Sequence, residues 1–173
     1  SNGWEKNELS LDHLNPDAFG IYRDNVLLPL IKNAKSAGNS LNYLLTDSWE
    51  MGVANWTNKF PQEFKKFRGY DINEYMPVLT GRVVESKEIS NRFLHDFRNT
   101  VSDCIAANHY QLFANLAHQN GLGFHPESGG PHAAPIDAKR LNKDTPCTKL
   151  GHCVDCKSPH RICNDFVTIT GQF

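Results

Sequence analysis

Two acidic stretches of the chain carry the residue types that acid–base chemistry needs. The first, Asp47-Ser48-Trp49-Glu50, directly follows an apolar, strand-like run at residues 41–46. The second contains Glu127, which follows another such run at residues 121–125 and precedes Ser128-Gly129-Gly130. If the two strands are neighbours in a parallel sheet, both acids are expected at one rim, because the loops after parallel strands share an edge. Two carboxylates in a common cleft could cleave a glycosidic bond or hold a hard cation.

Aromatic side chains near the first acidic stretch favour a sugar as the ligand. Trp49 and Trp56 flank the end of the 41–46 run, and an aromatic face packs well against the C–H surface of a pyranose. Two plainer interpretations stay open. Asp47 caps the following helix while the tryptophans belong to the core, and Glu127 is a solvated turn residue.

A second kind of chemistry is indicated by cysteines near the C-terminus. Four of the five cysteines lie within residues 139–173, with the spacing C-x5-C-x2-C-x6-C. Four thiolates at this density could bind zinc or an iron–sulfur cluster. They could also be free thiols in a reducing compartment or form two disulfides in an oxidising one. The cysteines of this cluster are Cys147, Cys153, Cys156 and Cys163.

The elements that would position these residues alternate between helices and strands. Asn15 is a good N-cap for the first helix, in which Pro29 is expected to cause a kink or an end. Gly69 and Gly121 are placed to end the later helices. Strand, polar loop, helix and strand in this order predict an α/β fold, namely a partial (β/α) barrel-like parallel sheet with amphipathic helices. The predicted helices start at Pro16 and span residues 57–68 and about 86–120.

Composition predicts two regions, residues 1–138 and residues 139–173. The chain of 173 residues is long enough for a domain with a real core. Its net charge of −1 gives no reason to expect nucleic acid or a membrane surface as a partner. No apolar run approaches the length of a membrane span and no signal peptide is visible. Cys104, in the first region, lies on an apolar helix stripe and is predicted to be a small buried side chain.

Residues of the first region resemble the catalytic domain of a known enzyme family. The resemblance runs in collinear blocks from about residue 10 to about residue 138, and the family is the α-L-rhamnosidases of glycoside hydrolase family 106. The blocks that carry it are DSWEMGVANWTNKFPQEFKKFRGYD (47–71), YMPVLTGRVVES (75–86), RFLHDFRNTVSD (92–103) and ESGGPHAAPIDA (127–138).

The resemblance implies a fold, a mechanism and a set of site residues. Members of the family are inverting, calcium-dependent enzymes with a (β/α)8 catalytic domain, and by resemblance Glu50 matches the general acid. Glu127 would line the region of the sugar or of calcium. The general base of the family lies roughly 50 residues beyond ESGGP, so this chain is expected to have the acid without the base and to be inactive alone. The further candidates for binding the sugar are Asp47, Trp49, Asn55, Trp56 and His125.

The second region resembles a different family. The pattern AKRL, TPC and GxCxDCxSPxRICN within residues 138–164 is similar to the C-terminal signature of lactate-utilisation (LUD) domain proteins. This resemblance implies a bacterial cytoplasmic protein, and it predicts a metal-binding or redox function for the four cysteines. The two resemblances meet at residues 134–138, which predicts a chimeric or designed chain, or an inactive α/β scaffold.

The two resemblances imply different partners and compartments. The first implies a rhamnose-containing glycan or glycoside and a periplasmic or secreted protein, whereas the second implies the cytoplasm. The sequence begins at Ser1 without an initiator Met, so its start does not decide between them. Half of a barrel would leave strand edges unpaired, and self-association through those edges is therefore a further expectation.

Overall fold

Helices make up most of the structure, and two short parallel strands lie between them. The structure is a computed structural model that describes residues 11–38, 41–46 and 54–126. None of the helices in these ranges combines the length and the apolarity that crossing a bilayer requires. In chain order the elements are α1 Pro16–Tyr22, a first π turn Arg23–Leu27, α2 Leu28–Ser36, β1 Tyr43–Thr46, α3 Phe60–Arg68, a 3₁₀ helix Ile72–Thr80, α4 Lys87–Ile105, a second π turn Ala106–Tyr110, α5 Gln111–Gln119 and β2 Gly123–Pro126.

The helix ends follow the local signals in the sequence. The Asn15 side chain accepts a hydrogen bond of 3.0 Å from the Asp17 N–H at the start of α1, as predicted. The Ser86 hydroxyl caps α4 in the same way by accepting from the Ile89 N–H at 3.1 Å. At the end of α3 the backbone of Gly69 has φ 85°, a left-handed conformation that glycine adopts without a steric penalty.

Of the two outcomes expected at Pro29, a kink or an end of the helix, the end does not occur. It lies in the first turn of α2, directly after the first π turn. There the Leu28 N–H donates to the Arg23 carbonyl, five residues back. A π turn is wider than an α turn, and this widening makes room for the pyrrolidine ring that would clash in a regular helix. The chain therefore stays helical from Pro16 to Ser36.

The second π turn keeps one apolar stripe of the long helix in register. A step of four residues overshoots one α-helical turn by about 40°, so a strict four-residue repeat drifts around the helix. The π turn contains one residue more than an α-helical turn, and this offsets part of the drift. As a result Phe113 is buried after the turn, whereas Leu112 is only half-buried. The buried residues with this spacing are Phe93, Phe97, Val101, Ile105, His109, Phe113 and Ala117.

The core consists of aromatic contacts between α3 and α4 and between α5 and its neighbours. Ring centroids lie 5.1 Å apart for Phe60 and Phe97 and 5.8 Å apart for Phe64 and Phe93. Such ring pairs add about 0.5–1.5 kcal/mol each beyond the area that they bury. Cys104 is fully buried, as predicted, and burial raises the pKa of its thiol to about 12.

A buried ion pair also joins α3 to α4. A guanidinium nitrogen of Arg68 donates to the Asp103 carboxylate, and the Arg68 Nε donates to the Thr100 hydroxyl at 2.9 Å. The side chains of Arg68 and Asp103 are only 14% and 5% exposed. Water therefore screens this pair little, and its loss should be costly.

Candidate functional site

The two strands that precede the acidic stretches are parallel neighbours, as predicted. The register pairs Tyr43 with Gly123 and continues to Thr46 with Pro126. The carboxyl ends of β1 and β2 therefore lie side by side at one edge of the sheet. This is the edge from which the two acid-bearing stretches continue along the chain, which is the position that α/β enzymes use for their sites.

The two faces of this small sheet differ in their surroundings. Leu44 and Phe124 are buried, and the Phe124 ring stacks on Phe113 of α5 at 5.9 Å. Because side chains alternate along a strand, the paired residues Leu45 and His125 lie on the opposite face. Leu45 is 58% exposed and His125 is half-buried. We call this the open face, and it places His125 one residue before the end of β2.

The loop at residues 54–59 carries two of the predicted sugar-binding residues. Asn55 and Trp56 are both exposed, and the indole of Trp56 keeps 44% of its surface in solvent. The loop itself is anchored, because Thr57 is buried and its carbonyl accepts from the Phe60 N–H at 3.0 Å. The Trp56 ring also packs on the Phe60 ring at 5.2 Å. One part of the indole is thus held by the core while another part stays free for a ligand.

Contacts with the start of the first helix also hold the C-terminal end of this loop. The Lys59 ammonium pairs with the Asp17 carboxylate in the first turn of α1. The Asn15 amide, which belongs to the N-cap of the same helix, donates to the Asn58 side chain at 3.4 Å. The loop that presents Trp56 is therefore fixed between α3 and the N-terminal end of α1.

Behind this anchor lies a histidine pair that the sequence patterns did not single out, formed by the half-buried His13 and the buried His109. The rings of His13 and His109 meet edge to face with centroids 4.4 Å apart. Burial and, to a smaller extent, the neighbouring His13 together lower the pKa of His109 to about 3. Burial also lowers the pKa of His13, although the Asp12 carboxylate opposes this effect. The one signal in the sequence was the four-residue repeat, which places His109 on the apolar stripe of the long helix.

The remaining predicted site residues lie outside the described residues. They are Asp47, Trp49, Glu50 and Glu127 of the acidic stretches and Cys147, Cys153, Cys156 and Cys163 of the cysteine cluster. Within residues 11–38, 41–46 and 54–126, no group of three or more His, Cys, Asp or Glu side chains is arranged to hold a metal ion. The predicted calcium and zinc or iron–sulfur sites thus remain predictions.

Comparison with known proteins decides which family the chain belongs to. The profile of glycoside hydrolase family 106, described as alpha-L-rhamnosidase, matches residues 2–150. The chain belongs to this family. The match extends past residue 138, where the sequence predicts a boundary between two regions, and it ends within the cysteine-rich region.

Two relatives illustrate the similarity. A protein of Formosa agariphila with the name "Putative beta-glucuronidase" is 42% identical over 130 residues, which are 75% of this chain and 11% of the relative. The solved structure of a rhamnosidase from Novosphingobium sp. PP1Y has a TM-score of 0.66 and 32% identity, over 79% of this chain and 13% of that one. The chain therefore spans little more than a tenth of the length of either relative.

Proposed function

We propose that this family 106 chain carries the proton-donor half of an inverting α-L-rhamnosidase site, with Glu50 as the general acid. The observation that carries this proposal is the parallel pairing of β1 and β2, whose carboxyl ends directly precede the two acidic stretches. Such an edge suits a substrate that must meet both stretches at once. The family membership supports glycan chemistry at this edge.

Each candidate residue has a role in this proposal. The protonated Glu50 carboxyl gives its proton to the glycosidic oxygen as the bond breaks, so that the aglycone leaves as a neutral alcohol. Trp49 and Trp56 pack on the pyranose. The polar candidates hydrogen-bond the sugar hydroxyls. They are Asp47, Asn55, His125 and Glu127.

An inverting hydrolase also needs a second carboxylate, about 6.5–9.5 Å from the acid, to activate water. The resemblance assigns this base to a later strand of the family's barrel, and to no residue of the 1–138 region. We therefore expect this chain by itself to bind the sugar but to hydrolyse ordinary rhamnosides very slowly or not at all.

Calcium is the cofactor that the family resemblance implies near Glu127. Calcium takes oxygen ligands, and the Glu127 carboxylate supplies such oxygens directly after β2. A bound calcium ion would add a fixed positive charge that orients sugar hydroxyls. The donor type of Glu127 thus suits calcium.

Sugar binding tests the proposal. The two sugars to compare are L-rhamnose and D-glucuronic acid, because the names of the two relatives refer to them. We expect L-rhamnose to quench the tryptophan fluorescence of the chain in the presence of calcium and D-glucuronic acid to do so more weakly. Trp56→Ala should weaken rhamnose binding about tenfold, since stacking on one aromatic ring contributes on the order of 1–1.5 kcal/mol. Isothermal titration calorimetry measures the dissociation constants.

The matched control is Trp56→Phe, which keeps an aromatic face on Phe60 and should lose far less affinity. Equal affinity of the wild type and Trp56→Ala for rhamnose would contradict a role for this side chain. Tighter binding of glucuronic acid than of rhamnose would contradict the proposed substrate class.

The cysteine cluster supports a second candidate function. We propose that Cys147, Cys153, Cys156 and Cys163 bind zinc or an iron–sulfur cluster, because four thiolates and one C-x2-C pair lie within 17 residues. In this alternative the α/β part serves as a scaffold for a metal-binding or redox module in a chimeric chain.

Metal analysis separates the two functions. We expect the chain purified under reducing conditions to contain about one equivalent of zinc or iron, and Cys153→Ser to lose it, because the cluster would keep only three thiolates. Cys104→Ser is the matched control, since Cys104 is buried in the core and should not affect the metal content. Protein that contains neither zinc nor iron would contradict the metal site.

A further inference from the structure

The second π turn holds the segment that leads into the first helix. The Asn108 side chain donates to the Leu14 carbonyl at 2.8 Å, and this hydrogen bond is buried. The next residue, His109, packs its ring edge to face against His13. Leu14 itself is 1% exposed. Two neighbouring residues of the π turn therefore clamp residues 11–15, which we call the lead-in segment.

The lead-in segment in turn contacts the loop that carries Trp56. Asn15 is its last residue, and the Asn15 side chain both caps α1 and donates to Asn58. Two residues further on, Asp17 pairs with Lys59 of the same loop. A displacement of the lead-in segment would thus remove the N-cap of α1 and loosen both loop contacts together.

We infer that Asn108 and His109 are positioning residues, which fix the loop at residues 54–59 by clamping the lead-in segment through Leu14 and His13. The consequence for sugar binding rests on the proposed function, because it requires Asn55 and Trp56 of this loop to contact the sugar. The clamp itself does not depend on that function.

The histidine pair makes the clamp sensitive to acid. The His109 ring contacts His13 from the lead-in segment and Tyr110 from its own turn, and Phe113 of α5 presents an apolar ring at 5.0 Å. The Asp12 carboxylate acts on His13. Two imidazolium rings at this distance would repel each other, and burial opposes the charge on either ring. The closed clamp therefore favours the neutral form of both rings.

The sign of the pH dependence follows from the lowered pKa values. Above the ordinary histidine pKa of 6.5 the rings are neutral in both the closed and the open state, and the clamp has its full stability. As the pH falls from 6.5 towards 3, the open state takes up a proton at His109 that the closed state does not take up, and opening becomes progressively more favourable. The lowered pKa of His13 acts in the same direction.

Fluorine NMR of the chain labelled with 5-fluorotryptophan tests this inference. The chain has three tryptophans, and the resonance that disappears in Trp56→Phe is assigned to Trp56. We expect this resonance to change between pH 6.5 and about 4, before the helical circular dichroism is lost. In His109→Phe, which keeps the ring contact but cannot be protonated, the midpoint should fall by about one pH unit or more.

Controls separate this effect from general acid unfolding. His118→Phe changes an exposed histidine of α5 and should leave the midpoint unchanged. Asn108→Ala removes the hydrogen bond to Leu14 without changing a titratable group, so it should alter the Trp56 resonance already at pH 7.5. Rhamnose affinity in this variant should fall about three- to tenfold, because the bond contributes on the order of 1 kcal/mol to the position of the loop.

The outcomes distinguish the clamp from the proposed function. An unchanged midpoint in His109→Phe, or a Trp56 resonance that follows the circular dichroism at every pH, would overturn the clamp even if rhamnose binds. A Trp56 transition that responds to His109→Phe would support the clamp. If rhamnose then fails to bind at any pH, the proposed function is wrong and the clamp stands.

Discussion

Replacing Glu50 with glutamine should nearly abolish the release of phenol from phenyl α-L-rhamnoside. Glutamine has nearly the same shape but cannot donate a proton to the leaving oxygen, and general acid catalysis contributes about 10²- to 10⁴-fold to such reactions. Release of dinitrophenol from 2,4-dinitrophenyl α-L-rhamnoside should be almost unaffected, since this leaving group departs without a proton. Phenol release is followed by chromatography and dinitrophenol release by absorbance.

Because a general base is expected to be absent, the reaction needs an added nucleophile. Sodium azide at high concentration replaces the water that a base would activate, so that the proton-donor step limits the reaction of the phenyl glycoside. Glu74→Gln changes an exposed acid on the 3₁₀ helix and is the matched control, which should retain wild-type rates. Equal release of phenol by the wild type and Glu50→Gln would show that Glu50 is not the acid. If azide elicits no release from the wild type even with the dinitrophenyl substrate, which needs no acid, the chain does not act on rhamnosides and the proposed function is wrong.

The two strands and the main α-helices could be predicted because local signals determine them. The runs at residues 41–46 and 121–125 form the two strands, and their parallel pairing follows from the long helical connection between them. Asn15 and Gly69 fix helix ends through hydrogen bonding and a left-handed backbone, which are properties of single residues. Such features need no knowledge of tertiary contacts.

The π turns and the clamp could not be predicted in the same way. Whether a helix contains a π turn depends on what packs against it. The spacing of Phe97, Ile105 and Phe113 is compatible with a regular α-helix and with a helix that contains a π turn, so the neighbouring elements decide between the two. The hydrogen bond from Asn108 to Leu14 spans 94 positions of the chain. A single sequence contains no signal for a contact at that separation.

The candidate site was predictable in part, for a different reason. Periodicity gives the strand ends, and the structure confirms that these ends are neighbours. The assignment of a general acid to Glu50 depends on the family resemblance, since a carboxylate after a strand has no mark that distinguishes catalysis from helix capping. The family membership of the chain is confirmed, whereas the individual roles await the experiments above.

The second large effect concerns stability and the ion pair between α3 and α4. Arg68→Met should lower the free energy of unfolding by about 3–5 kcal/mol, because it leaves the buried Asp103 carboxylate without its cationic partner. Asp103→Leu should have a comparable effect, since it removes the carboxylate that pairs with the buried Arg68 guanidinium, while the hydrogen bond to the Thr100 hydroxyl stays. Urea unfolding followed by circular dichroism measures both changes.

The double variant and an exposed pair make this prediction specific. Arg68→Met combined with Asp103→Leu should recover a large part of the loss, because replacing both buried charges by apolar groups removes the cost of an unpaired ion. Arg92→Met breaks the exposed pair with Glu88 on the same helix, α4, and should cost less than about 1 kcal/mol. If the Arg68 and Arg92 variants lost equal stability, burial would not determine the strength of the α3–α4 link. Since α3 begins at Phe60, directly after the loop that carries Trp56, that link also supports the scaffold on which the candidate site is built.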